Sequence, residues 1–163
     1  MNNKTKTFWP ATAYVIMFII MYFLTYTSVL PLKIGNSAPM PLIAGVVAVA
    51  FFYGEWLGFT AGLITGIFAD AVAANTVCFN MVTLMLIGVA VGLLVNKYLN
   101  KNIYSALLLA AVSAMAYFFV HWLIFNAASG GNVITHFLLY YFPSAIYSAL
   151  FIFPAYLPGR YLK

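Results

Sequence analysis

The chain has 163 residues with a formal net charge of +5; 66% are hydrophobic, 18% aromatic and only 6% charged. A water-soluble domain carries about a quarter charged residues, so seven Lys and Arg with two Asp and Glu cannot cover a soluble globule of this size. The composition excludes a soluble enzyme and predicts an integral membrane protein, in line with a mean hydropathy of +1.03.

One helical span takes about 20 residues, so six take about 120 and leave about 40 for every loop and tail. Residues 1–163 are therefore read as a single integral membrane domain, with any activity inside the bilayer or at its edge. The basic balance does not indicate nucleic acid, because the seven cations do not cluster into a basic patch. The single cysteine, Cys78, rules out an internal disulfide and a multi-cysteine metal site.

In chain order, the first span is predicted over about residues 9–32. Lys4 and Lys6 precede it, but the apolar run is far longer than that of a cleavable signal, so it reads as a span that stays. A turn-rich loop from Lys33 to Pro39 follows. The run 41–53 is about 20 Å long as a helix, against about 30 Å of hydrocarbon. It is read as a short or re-entrant segment, interrupted by Gly54 and Glu55. Further spans are predicted over 56–74, 79–95, 103–125 and 137–157, the last kinked or broken by Pro143 and Pro154. The chain carries no low-complexity tract and no convincing internal repeat.

Basic residues set the orientation. With the N-terminus inside and six crossings, Lys4, Lys6, Lys97, Lys101, Arg160 and Lys163 lie inside, and only Lys33 lies outside. Reading 41–74 as one crossing would reverse that asymmetry. Both termini are thus predicted to be cytoplasmic. Trp9, Tyr26, Tyr53, Trp56, Tyr98, Tyr104, Trp122 and Tyr156 fall near span ends, where aromatic rings favour the interface.

The stretch 54–70 is the most informative. Gly54, Gly58, Gly62 and Gly66 recur every four residues, and Asp70 takes the next place in the series. A four-residue step overshoots one helical turn by about 40°, so these positions form one slowly winding stripe. Small residues on such a stripe let helix backbones approach closely in lipid. Gly88 and Gly92 repeat the device on the fourth span, which makes it the natural partner. The stripe is read as a packing face within the bundle or as a face for another subunit.

Asp70 is the one carboxylate inside a predicted span, and an acid at mid-bilayer costs about 3 kcal/mol. Two roles stand for it: a functional ionisable group, or an acceptor for hydrogen bonds from the following loop or the start of the fourth span. Glu55 lies about 22 Å away along the helix, so the two acids cannot form an acid–base pair. It is read as ending the short second segment at the headgroups.

Other polar residues gather on the predicted outer side: Lys33, Asn75, Thr76, Asn80, His121, Asn126, Asn132 and His136. Their spacing fits no metal-ligand motif, and no Ser-His-Asp arrangement is specified by the sequence. No metal or other cofactor is expected. Cys78 has no basic neighbour to activate it.

The run 58–70, followed by Phe79-Asn80 and then by 86–92 with Gly88 and Gly92, resembles the signature of the MreD family, the rod shape-determining membrane proteins of bacteria. That pattern has a glycine-rich third span ending in an acid, a short loop, a glycine-x-Asn or glycine-x-His, and a glycine-containing fourth span. Here Cys78 stands where the family has glycine.

The resemblance implies a compact six-helix membrane bundle, similar in architecture to the substrate-binding subunits of energy-coupling-factor transporters. It implies a non-enzymatic partner of the cell-elongation and peptidoglycan-synthesis machinery in the bacterial inner membrane. The implied partners are membrane lipids, an MreC-type single-span protein, MreB, RodA and a class B penicillin-binding protein. Asp70, Asn80 and the glycine stripe would then shape the bundle and a partner face. The alternative function is vitamin binding as a transporter subunit of the energy-coupling-factor kind.

Overall fold

The structure, a computed structural model, describes residues 3–26, 40–72, 78–99, 101–125 and 141–161. Among them are seven α-helices and no strand. They are α1 (Asn3–Tyr26), α2 (Pro41–Tyr53), α3 (Glu55–Val72), α4 (Phe79–Tyr98), α5 (Ile103–Phe125), α6 (Phe142–Leu150) and α7 (Ile152–Tyr161).

Several bounds differ from those predicted. Helix α1 begins at Asn3, ahead of Trp9, and α4 runs past Val95 to Tyr98. Residues 27–32, 73–74 and 137–140 of the predicted spans lie outside the described residues. The final run is divided at Phe151 into α6 and α7. Pro154 has no N–H to offer Leu150, and its ring crowds that carbonyl, so the helical ladder stops there. Pro143 stands in the first turn of α6, where a missing N–H costs nothing.

Helices α4 and α5 are long and apolar enough to cross a membrane by length and composition. The apolar stretches Thr12–Tyr26, Pro41–Tyr53 and Phe142–Leu157 are shorter. Helix α3 is diluted by its glycines and carries Glu55 at its start and Asp70 near its end.

The organising element is α2. Its sequence is apolar on every face, which suits a helix enclosed on all sides, and each residue from Pro41 to Phe51 is buried. It packs against every other helix of the bundle. The ends of this short helix are satisfied from elsewhere in the chain. Met40 N donates to Ser148 Oγ of α6 at 2.8 Å. At the other end Lys101 Nζ donates to the Phe52 carbonyl at 3.3 Å, placing a cation at the negative pole of the helix.

The exterior is apolar like the core, unlike that of a protein folded in water. Large apolar side chains are exposed along the helices that surround α2, including Ile20, Leu57, Leu86, Val112, Ile146 and Leu157. Buried polar residues, by contrast, include Thr65, Asn80, Ser113, Ser144 and Ser148.

Candidate functional site

The largest helix–helix contact in the bundle is between α3 and α4, and glycine makes it close. A Cβ built on Gly58 would stand 2.6 Å from the Gly88 carbonyl oxygen, and one on Gly88 2.5 Å from the Gly58 carbonyl carbon. On Gly66 it would meet Met81 N at 2.7 Å, on Gly62 the Leu84 carbonyl carbon at 2.6 Å, and on Gly92 the Gly54 carbonyl carbon at 2.8 Å. The obstructing atoms are backbone, which cannot swing aside. The stripe therefore closes on α4 within the chain.

Gly54 differs from the rest. It sits between α2 and α3 with φ +91°, a conformation that L side chains rarely adopt, and a Cβ there would have room. Its requirement is the sharp reversal between two helices, not close packing.

Both acids bind α3 to α4, at opposite ends of the seam. Asp70 Oδ1 accepts from Asn80 N at 3.0 Å, and Oδ2 accepts from Met81 N at 2.8 Å. These N–H groups belong to the first turn of α4, where the helix cannot pair them itself. The residue at the cap position is Cys78, whose side chain makes no capping bond and whose φ is +60°. A carboxylate from the preceding helix takes over that duty, favoured by the positive pole of α4. At the far end, Glu55 opens α3 and accepts a hydrogen bond from Asn96 Nδ2 of α4.

From Asp70 the polar contacts continue across the bundle. Asn80 is buried, and its Oδ1 accepts from the Tyr117 hydroxyl of α5. Tyr26 of α1 donates to the Ala69 carbonyl at 3.3 Å. Four helices thus meet around the end of α3. Tyr117, Asn96 and Ser148 carry these contacts without any signal in the sequence, and Tyr26 is marked there only as an interfacial aromatic. Their polar atoms matter only because folding brings distant helices to them.

His121 stands beside this cluster among aromatic rings, with centroids of Phe125 at 4.7 Å, Phe79 at 5.3 Å and Tyr141 at 5.9 Å. Its Nδ1 is buried without a hydrogen-bond partner among the described residues. No group of three His, Cys, Asp or Glu side chains converges on a metal-sized space among the described residues. Lys33, Asn75, Thr76, Asn126, Asn132 and His136 lie outside the described residues.

The other face of α3 has a different character. Between α1 and α3, floored by α2, runs a groove of about 650 Å³ whose lining is almost wholly hydrocarbon. Thr60 and Thr65 border it, with their hydroxyls bonded to the backbone of their own helix.

Compared with known proteins, the chain matches no family model, no curated protein and no solved structure.

Proposed function

We propose that the chain is a multi-pass membrane scaffold of the MreD type, with six crossings and both termini cytoplasmic in a bacterial inner membrane. On this reading it performs no chemical step. It serves cell elongation and peptidoglycan synthesis by binding an MreC-type single-span protein and, through the same assembly, MreB, RodA and a class B penicillin-binding protein.

The observation that carries the reading is where the carboxylates go. Asp70 and Glu55, the only two acids in the chain, are both engaged in fastening α3 to α4. A proton-coupled transporter or a hydrolase would use such groups on substrate. The apolar exterior supports the membrane placement, since exposed hydrocarbon on this scale is not tolerated in water. The motif that resembles the MreD signature coincides with the α3–α4 unit. Cys78, which stands at the family's glycine, has the left-handed backbone that glycine adopts freely.

Vitamin binding draws less support. The large groove offers a polar ligand few partners, whereas a small-molecule site pairs apolar walls with several placed polar groups.

The experiment is affinity purification of the full chain from native membranes, with and without a co-expressed MreC-type protein. Stoichiometric co-purification is expected. No association in either detergent or native membranes would overturn the reading.

A further inference from the structure

The α1–α3 groove is a candidate site on geometry alone, and aromatic contacts bound its two ends. At one end the Tyr14 ring meets Tyr53 edge to face, with centroids 5.6 Å apart. At the other, Tyr22 meets Phe68 at 6.3 Å, and Tyr26 reaches across to the Ala69 carbonyl. Between these contacts the lining runs from Tyr14 to Phe23 on α1 and from Leu57 to Phe68 on α3. At the helical rise those stretches are about 14 Å and about 16 Å long.

The length decides between two kinds of occupant. A partner helix crossing the membrane must follow about 30 Å of hydrocarbon and would run past the Tyr22–Phe68 contact. One leaflet is half as deep, about 15 Å, which is the length of the groove. A lipid tail of a single leaflet fits between the contacts.

The Tyr14 end fixes which leaflet and which headgroup. Lys101 donates to the Phe52 carbonyl, next to Tyr53, and Lys97 lies in the last turn of α4. The one acid at this end, Glu55, is bonded to Asn96. Among the described residues the balance there is cationic, Lys97 and Lys101 against Glu55. The hydroxyl of Tyr14, a groove-lining residue, is buried with no hydrogen-bond partner among the described residues. A lipid ester or phosphate oxygen would supply the missing acceptor.

We propose that the groove between α1 and α3 holds one acyl tail of an anionic phospholipid from the cytoplasmic leaflet, as a retained structural lipid. The inference rests on the membrane orientation given under the proposed function, but not on any elongation partner.

The test uses the full chain purified in mild detergent and analysed by native mass spectrometry with added phosphatidylglycerol or phosphatidylcholine. One phosphatidylglycerol is expected to stay bound, with phosphatidylcholine retained roughly tenfold less well. Ile64→Trp and Val15→Trp, which fill the groove from either wall, should cut retention by a similar factor. Val112→Trp, on the exposed face of α5, should leave it unchanged. Tyr14→Phe should lower retention while the lipid-free protein melts no earlier, since it removes an unpaired buried hydroxyl.

Equal retention of both lipids, or equal effects of Ile64→Trp and Val112→Trp, would overturn the proposal. So would the transmembrane helix of a co-purified protein cross-linking at Ile64 and Ile19. Failure of the chain to insert into membranes at all would instead sink the functional reading beneath it.

Discussion

Helix α3 has two faces that solve packing in opposite ways. Toward α4 it presents Gly58, Gly62 and Gly66, and the two backbones touch. Toward α1 it presents Leu57, Ile64 and Phe68, and a groove of about 650 Å³ stays open. Both faces are apolar, so hydrophobicity does not distinguish them. Side-chain volume does. With hydrocarbon solvent outside there is little drive to bury one more leucine, and close approach is what gains dispersion contact. The seam is rigid because nothing projects from it; the groove persists because bulky side chains hold α1 away.

The sharpest way to break this contrast is to give the seam a side chain. Gly62→Leu would drive its Cβ into the Leu84 backbone, at a cost of about 3 kcal/mol or more. Thermal unfolding in detergent should show loss of the cooperative transition; a melt like that of the parent would mean that α3 and α4 are not held this way.

A smaller effect comes from unfastening one end. Asp70→Ala leaves the Asn80 and Met81 N–H groups without their carboxylate, for about 2–3 kcal/mol. Hydrogen exchange should quicken first in the opening turn of α4, and protection that stays as in the parent would count against the cap. Asp70→Asn, which keeps one acceptor, should lie between the two.

Cys78→Gly runs the other way. Relief of the left-handed backbone should raise stability by about 0.5–1 kcal/mol after the entropy cost of glycine. A lower melting temperature would show that the turn does not hold this conformation.

The smallest effect is expected on the groove side. Ile64→Trp, on a half-exposed position, should change stability by less than about 0.5 kcal/mol. A loss comparable to that of Gly62→Leu would erase the distinction between the two faces.

Much of the fold was legible in the sequence, for identifiable reasons. Helix α5 has the bounds read from its apolar run, Ile103–Phe125, because polar residues flank it on both sides. The glycine series was visible because a four-residue step is a helical period, and the partner glycines of α4 share it. The enclosure of α2 was not legible. Its length of 13 residues suggested a doubtful crossing, whereas its lack of any polar face is what marks a helix surrounded by protein. The break at Phe151 falls just ahead of the Pro154 that was expected to interrupt the last run.

The candidate site was legible in its acids and not in its donors. Asp70 stood out because a carboxylate in an apolar run is rare. Whether it served chemistry or capping could not be read until α4 was placed with its first N–H groups against it. Tyr117 and Ser148 carried no sign at all, since Tyr and Ser are common in apolar runs and only the three-dimensional neighbour makes one a partner.

The bond between Met40 and Ser148 also imposes a timetable. The two residues are 108 positions apart in the chain, which at ordinary synthesis rates is a delay of roughly 5–20 s. Throughout that interval α2, the axle of the bundle, has emerged from the ribosome without the residue that caps it. The centre of the bundle is therefore completed only when its last helices arrive. A protein cut short before α6 would leave the axle of the bundle bare on the side that α6 and α7 cover.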